Sequence, residues 1–148
     1  MKYKLIALGA MKNGPEKTLL DSYLKRLSLD FSIQEIIPKK IMSKEDEGDL
    51  ILGHLHSSDF VIALDEKGEN LSTRAFYDYI ENKIARDAKT CVFIIGGADG
   101  LGENIKKRSQ LKISFGHMTW PHMLVRALLV EQLYRCQQIK SNHPYHRD

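Results

Sequence analysis

Two stretches of this chain, Phe60 to Leu64 and Cys91 to Ile95, are unbroken runs of five apolar residues. A strand with one face in water alternates apolar and polar residues. A strand covered on both faces reads as a continuous apolar run. Two such runs in one short chain demand a sheet with material packed on both sides. The segments around them supply that material. Leu5 to Leu8 reads as a first strand, and Pro15 sits at a plausible first helical position ahead of Leu20, Tyr23, Leu24 and Leu27 at helical spacing. Phe31 to Ile37 reads as a second strand, closed by Pro38. Ser43 and Asp46 have the spacing of a capping box before a helix near Leu50 to Leu55.

After the strand Phe60 to Leu64, Asp65 to Gly68 is expected to turn the chain, and Ser72 to open a helix through Phe76, Tyr79, Ile80 and Ile84. Cys91 to Ile95 is followed by glycine-rich residues 96–102, a short basic helix from Glu103 to Arg108, and a fifth strand from Leu111 to Phe115. The last helix runs from Pro121 to about Ile139, and Ser141 to Asp148 form a polar tail. The order βαβαβαβαβα predicts an α/β fold: a mostly parallel sheet with helices on both faces, one domain over residues 1–148. Ligands bind such sheets at the carboxyl ends of the strands. That singles out Leu64-Asp65, Gly96-Gly97 and Phe115-Gly116.

Composition bounds the rest. The formal charge is +3 and the pI about 8.8, which permits a nucleic-acid partner without demanding one. Cys91 and Cys136 lack metal-type spacing and are expected to be buried free thiols in a reducing compartment. Lys2 and Lys4 ahead of Leu5 to Ala10 resemble the start of an export signal, but the apolar stretch is too short. No run reaches the ~18–20 apolar residues of a membrane span. A soluble, cytoplasmic protein is expected.

The last helix carries Leu124, Val125, Leu128, Leu129, Val130 and Leu133 around most of its circumference. A helix apolar nearly all round is buried on more than one side. In a chain this short, the second surface is expected to be another copy of itself. A central core helix in a monomer is the alternative.

Three segments could carry chemistry. The glycine cluster after the fourth strand matches neither G-x-G-x-x-G nor a Gly-Lys-Ser/Thr loop, so it is as compatible with a tight turn as with a binding loop. Residues 115–122 place Trp120 and Pro121 in a rigid loop beside a helix N-terminus. This loop could wall an adenine pocket, although Trp120 taken alone is expected to pack into the core. The tail crowds His143, Tyr145, His146 and Arg147 into its last residues. These side chains can stack on bases, hold phosphate or take a proton near neutral pH. His143-x-x-His146 has no evident third metal ligand, and His54-x-His56 reads as surface, so no metal is expected. Lys39-Lys40 and Lys106-Lys107-Arg108 could contact RNA phosphates, though runs this short are more often solvated faces.

Taken together, the segments resemble one family. They are Val61 to Asp65, Phe93 to Leu101, Met118 to His122, Leu128 to Arg135 and His143 to Arg147. The chain is similar over nearly its whole length to the ribosomal large-subunit pseudouridine N3-methyltransferases of the SPOUT superfamily. The tail and final helix are the most specific parts. The resemblance implies a homodimer, a C-terminal trefoil knot, and S-adenosylmethionine bound in the knot. It implies cofactor contacts at Leu64, Gly96, Phe115, Gly116, His117, Met118, Thr119 and Trp120. The implied substrate is a pseudouridine of 23S ribosomal RNA, best recognised on the assembled ribosome, with the tail completing the site. In that frame His146 is the first candidate for general base. Tyr145 stacks on or orients the target base, and Glu131 orients Arg135, four residues on. Arg126, Arg135 and Arg147 are candidates for RNA phosphates. A simple structural ion pair between Glu131 and Arg135 carries similar weight.

Two departures stand out: Ala98 where many relatives have Pro, and Gly116-His117 where relatives are serine-rich. Backbone contacts to adenine survive both. Rival readings are a SPOUT methyltransferase for transfer RNA and a non-catalytic RNA-binding module of ribosome assembly. A dinucleotide oxidoreductase is disfavoured because no G-x-G-x-x-G follows the first strand.

Overall fold

A computed structural model describes residues 1–147 apart from the side chain at position 87; Asp148, the end of the expected functional tail, lies outside the described residues. Five parallel strands form one sheet in the order β2-β1-β4-β3-β5. The strands are β1 (Lys2–Leu8), β2 (Phe31–Ile36), β3 (Phe60–Asn70), β4 (Thr90–Ile95) and β5 (Leu111–Ser114). The helices are α1 (Pro15–Leu24), α2 (Lys44–Leu52), α3 (Thr73–Tyr79), α4 (Ala85–Asp87), α5 (Glu103–Arg108) and α6 (His122–Lys140). A π-helical turn, Ile80–Ile84, joins α3 to α4.

The apolar runs explain the layering. Successive strand residues point to opposite faces. Leu5, Ala7, Ile62, Phe93 and Ile95 therefore meet Phe76, Ile80, Leu129 and Leu133 from α3, the π turn and α6. Ile6, Leu8, Val61, Ala63, Val92 and Ile94 meet Ile51 of α2 and Ile105 of α5. Cys91 and Cys136 are buried and unpaired, and burial pushes the Cys136 thiol up to about 12.

Local signals fix several boundaries. Ser43 Oγ accepts the Asp46 N–H at 3.1 Å, capping α2 one turn earlier than the apolar residues alone suggest. Ser72 caps α3 the same way through Ala75 N–H. Two expectations need correction. The turn at Asp65 to Gly68 does not end β3, which continues to Asn70 because the segment beyond an irregularity between Leu64 and Glu69 pairs again with β5. And the second face of α6 is covered in part by this chain's own α1, where Leu20 packs on Ala127 and Val130. No described helix is long and apolar enough to cross a membrane.

Candidate active site

The carboxyl ends of β4 and β5 and the irregular middle of β3 after Leu64 open onto a cavity of about 520 Å³. Its size suits a small organic ligand. All three strand ends singled out from the sequence line it: Leu64-Asp65, Gly96-Gly97 and Phe115-Gly116. The strand alternation that buries Ile95 and Ile113 leaves the next residues to form loops. Gly100 (φ 79°) and Gly116 (φ 107°) take backbone angles that side chains resist. A Cβ on Gly96 would fall 2.7 Å from the Gly100 carbonyl oxygen, so the β4 loop folds back on itself only because residue 96 is glycine.

Of the eight residues expected to contact a cofactor, Leu64, Gly96, Phe115, Gly116, Met118, Thr119 and Trp120 line the cavity. His117 does not; it is exposed on the same loop. Trp120 is not packed into the core: it is 42% exposed. Its indole Nε1 donates to the Phe115 carbonyl at 3.2 Å, fixing the ring at the cavity rim. Thr119 Oγ1 donates to Glu66 at 3.0 Å, tying the third loop to the first.

Sequence reasoning missed several lining residues. Lys106 Nζ lies 3.3 Å from Asp65 and 3.6 Å from Glu103, and these carboxylates hold the ammonium pKa above its ordinary range even though its desolvation works against them. Lys106 was legible only as part of a basic run; the fold separates it from Arg108, which donates to the carbonyls of His56 and Asp59. His122, the first residue of α6, also lines the cavity. Burial, and then the charge of Arg126, hold its pKa below the usual 6.5.

The tail residues gather elsewhere. Glu131 Oε1 accepts from the Tyr145 hydroxyl at 3.1 Å and from Arg135 Nε at 3.0 Å. The Arg135 guanidinium lies 4.7 Å over the Tyr145 ring and 3.4 Å from His146 Nδ1. Tyr145 also meets Tyr134 edge to face at 4.9 Å. Burial leads, and hydrogen bonding follows, in pushing the Tyr145 phenol above its usual range. Arg147 is exposed beyond this cluster. Thus Glu131, Arg135, Tyr145 and His146 form one assembly, and none of them lines the cavity. From His122 to Glu131 is nine residues, about 13 Å and two and a half turns along α6. Val125 lines the cavity too, and Glu131 follows it by six residues, about 9 Å along α6.

Arg126 departs from expectation. It is fully buried rather than turned to RNA. Its guanidinium donates to the carbonyls of Leu8 (2.8 Å) and Gly9 (3.0 Å) and pairs with Glu35 at 3.2 Å, while Nε has no partner. It clamps α6 to the ends of β1 and β2, and its burial keeps the guanidinium away from phosphate. The lysine-rich and apolar loop between β2 and α2 stays exposed and outside both clusters.

The comparisons with known proteins bear on this cavity, bounded by a glycine-rich loop and the Trp120 loop. The family model described as "Predicted SPOUT methyltransferase" aligns with residues 1–146. The chain belongs to this SPOUT methyltransferase family. Proteins named ribosomal RNA large subunit methyltransferase H are its relatives along the whole length. The one from Flavobacterium johnsoniae is 42% identical, with 99% of each chain covered. That from Rhodospirillum centenum is 40% identical, with 99% of each covered. That from Clostridium botulinum is 39% identical, covering 99% of this chain and all of its own. In SPOUT terms, the strand-end cavity and the tail cluster are two separate parts of one small methyltransferase.

Proposed function

We propose that this chain, acting as one domain over residues 1–148, is a cytoplasmic S-adenosylmethionine-dependent methyltransferase. Its target is N3 of a pseudouridine in 23S ribosomal RNA, met on the assembled ribosome. The observation that carries the reading is the convergence of Leu64, Gly96 and Phe115 on one cavity in a chain aligned end to end with ribosomal RNA methyltransferases.

The residues present fit the cofactor. Leu64, Ile95, Leu101 and Val125 give apolar walls for adenine, and loops opened by Gly100 and Gly116 offer backbone groups to its edge. Asp65 and Glu66 supply counter-charge for a cation. When bound, S-adenosylmethionine supplies an electrophilic methyl group on a sulfonium sulfur. The protein's part is to hold the base nitrogen in line with that methyl and to accept the N3 proton. His146 is the base in this reading, Tyr145 orients the target, and Glu131 holds Tyr145 and Arg135. Arg135 and Arg147 face phosphate.

Because no residue of the tail cluster lines the cavity of its own chain, the reading takes a homodimer in which one protomer's tail completes the other's cavity. Residues of α6 left half-buried by α1, among them Leu124 and Leu128, suit that contact. The reading also includes the C-terminal trefoil knot. On both sides of its irregularity, β3 registers with Ile113. A Cβ on Gly68 would fall 2.6 Å from the Ile113 nitrogen, so this segment crosses β5 in backbone contact.

The test uses tritiated S-adenosylmethionine with purified protein and ribosomes lacking the modification. Label in large-subunit RNA, blocked when the pseudouridine is absent, is expected. Cofactor binding with label only in transfer RNA would redirect the substrate. No cofactor binding would favour a non-catalytic assembly module.

A further inference from the structure

Between β2 and α2 the chain crosses the carboxyl-end side of the sheet as Ile37-Pro38-Lys39-Lys40-Ile41-Met42-Ser43, and the next residue, Lys44, lines the strand-end cavity. The loop therefore leads from the outer edge of the sheet to the cavity rim. Seven residues span up to about 23 Å, the scale of a few nucleotides. A second cavity of about 530 Å³ opens under it, walled by Ile36, Ile37, Pro38, Met42 and Leu50 and edged by Lys39 and Lys40. Ile41 is fully exposed, and Ile37 is 65% exposed. Single exposed apolar residues are ordinary. Here Ile37 walls the groove with Lys39 and Lys40 at its edge, and Ile41 stands directly after the two lysines.

The charge selects the occupant. Residues 37–44 carry three lysines and no acid. Among the described residues, neither Lys39 nor Lys40 has an acidic partner. Of the four acids that follow in α2, Glu45 accepts the Glu103 N–H at 3.3 Å and Asp49 accepts from Asn104 at 2.8 Å, both toward α5. Glu35, at the end of β2, is held by Arg126 and by the Met11 N–H. A polyanion with apolar, unstackable parts fits such a surface, and single-stranded RNA is that ligand.

The geometry points to the loop Ile37 to Ser43 as an RNA-contact surface: Lys39 and Lys40 bind phosphates of the strand flanking the target nucleotide, and the apolar groove receives one of its splayed bases. This rests on the reading above that the substrate is RNA. The loop extends the cavity's reach to nucleotides that undergo no chemistry.

The experiment measures binding of a fluorescently labelled single-stranded 12-nucleotide RNA across salt concentrations. The proteins are the full chain, Lys39→Ala/Lys40→Ala, and Ile37→Ser/Ile41→Ser. Each phosphate contact on a single strand contributes about 0.7 to the slope of log K against log salt. The lysine variant should therefore lose about 1.4 of slope, and the serine variant should bind more weakly at unchanged slope. Unchanged melting temperature and S-adenosylmethionine binding in both variants would show that fold and cavity are intact. Equal slopes for wild type and lysine variant, or no RNA binding by wild type, would overturn the assignment. So would a change in oligomeric mass in either variant, which would make the loop a contact between copies. Methyl transfer to ribosomes, measured beside it on wild type, reports on the functional reading independently: label without a slope change defeats the loop alone.

Discussion

The strand-end cavity and the tail cluster differ in how they are held. The cavity is fixed by the sheet: β4 and β5 end beside the irregularity of β3, and glycine lets their loops turn inward. The cluster is fixed by side chains on one helix, with Glu131 gathering Tyr145 and Arg135. Two arginines of α6 make the same contrast. Arg126 is locked inside as a clamp between elements, whereas Arg135, nine residues on, lies at a partly exposed surface over Tyr145. The lesson is that α6 carries both a structural end and a chemical end. The proposed function joins these two parts across a dimer.

The sharpest way to break this comparison is to remove the tail. Deleting Tyr145 to Asp148 should abolish methyl transfer to ribosomes while S-adenosylmethionine still quenches the fluorescence of Trp120, the chain's single tryptophan. Loss of folding instead would make the tail part of the core. Less complete, His146→Ala should slow turnover by about 10²–10⁴-fold with cofactor affinity unchanged. Unaltered turnover would remove His146 from the role of base.

The arginine pair comes next. Arg126→Leu should cost about 3–5 kcal/mol of stability in chemical denaturation, because it strands the buried carbonyls and Glu35. Arg135→Leu should barely move the denaturation midpoint but should depress transfer. Equal losses of stability would erase the distinction.

The smallest effect is that of His122. Its folded pKa lies below 6.5, so below that pH the unfolded chain binds more protons than the folded one. Stability should be fully present above pH 6.5 and decline as pH falls toward the folded pKa. His122→Asn should flatten that decline in thermal melts taken between pH 7 and pH 5.

Much of this was legible in the residues. The apolar runs Phe60 to Leu64 and Cys91 to Ile95 told of a sheet covered on both faces, and strand-end logic named Leu64, Gly96 and Phe115 before any coordinates. The second pairing of β3 was not legible, because Asp65 to Asn70 has the composition of a turn and pairs only through a backbone approach that Gly68 permits. Nor was the fate of Arg126: periodicity places it on an apolar helix, but only the tertiary packing sets the carbonyls of Leu8 and Gly9 against it. Lys106 was hidden for a like reason, since nothing local distinguishes a lysine at a cavity wall from one on a solvated face. The tail was visible as an unusual composition, but which protomer's cavity it serves is a property of assembly.

The central claim is that one site is built from two chains, and subunit mixing tests it directly. One partner carries Gly96→Val, which pushes a side chain against the Gly100 carbonyl and closes the cavity; the other lacks Tyr145 to Asp148. Each alone should be inactive. Denatured and refolded together in equal amounts, they should recover about a quarter of wild-type methyl transfer, since half of randomly paired dimers would hold one intact composite site of two. No recovery, with mixed dimers verified by mass, would contradict the account and place cavity and tail in the same chain's site.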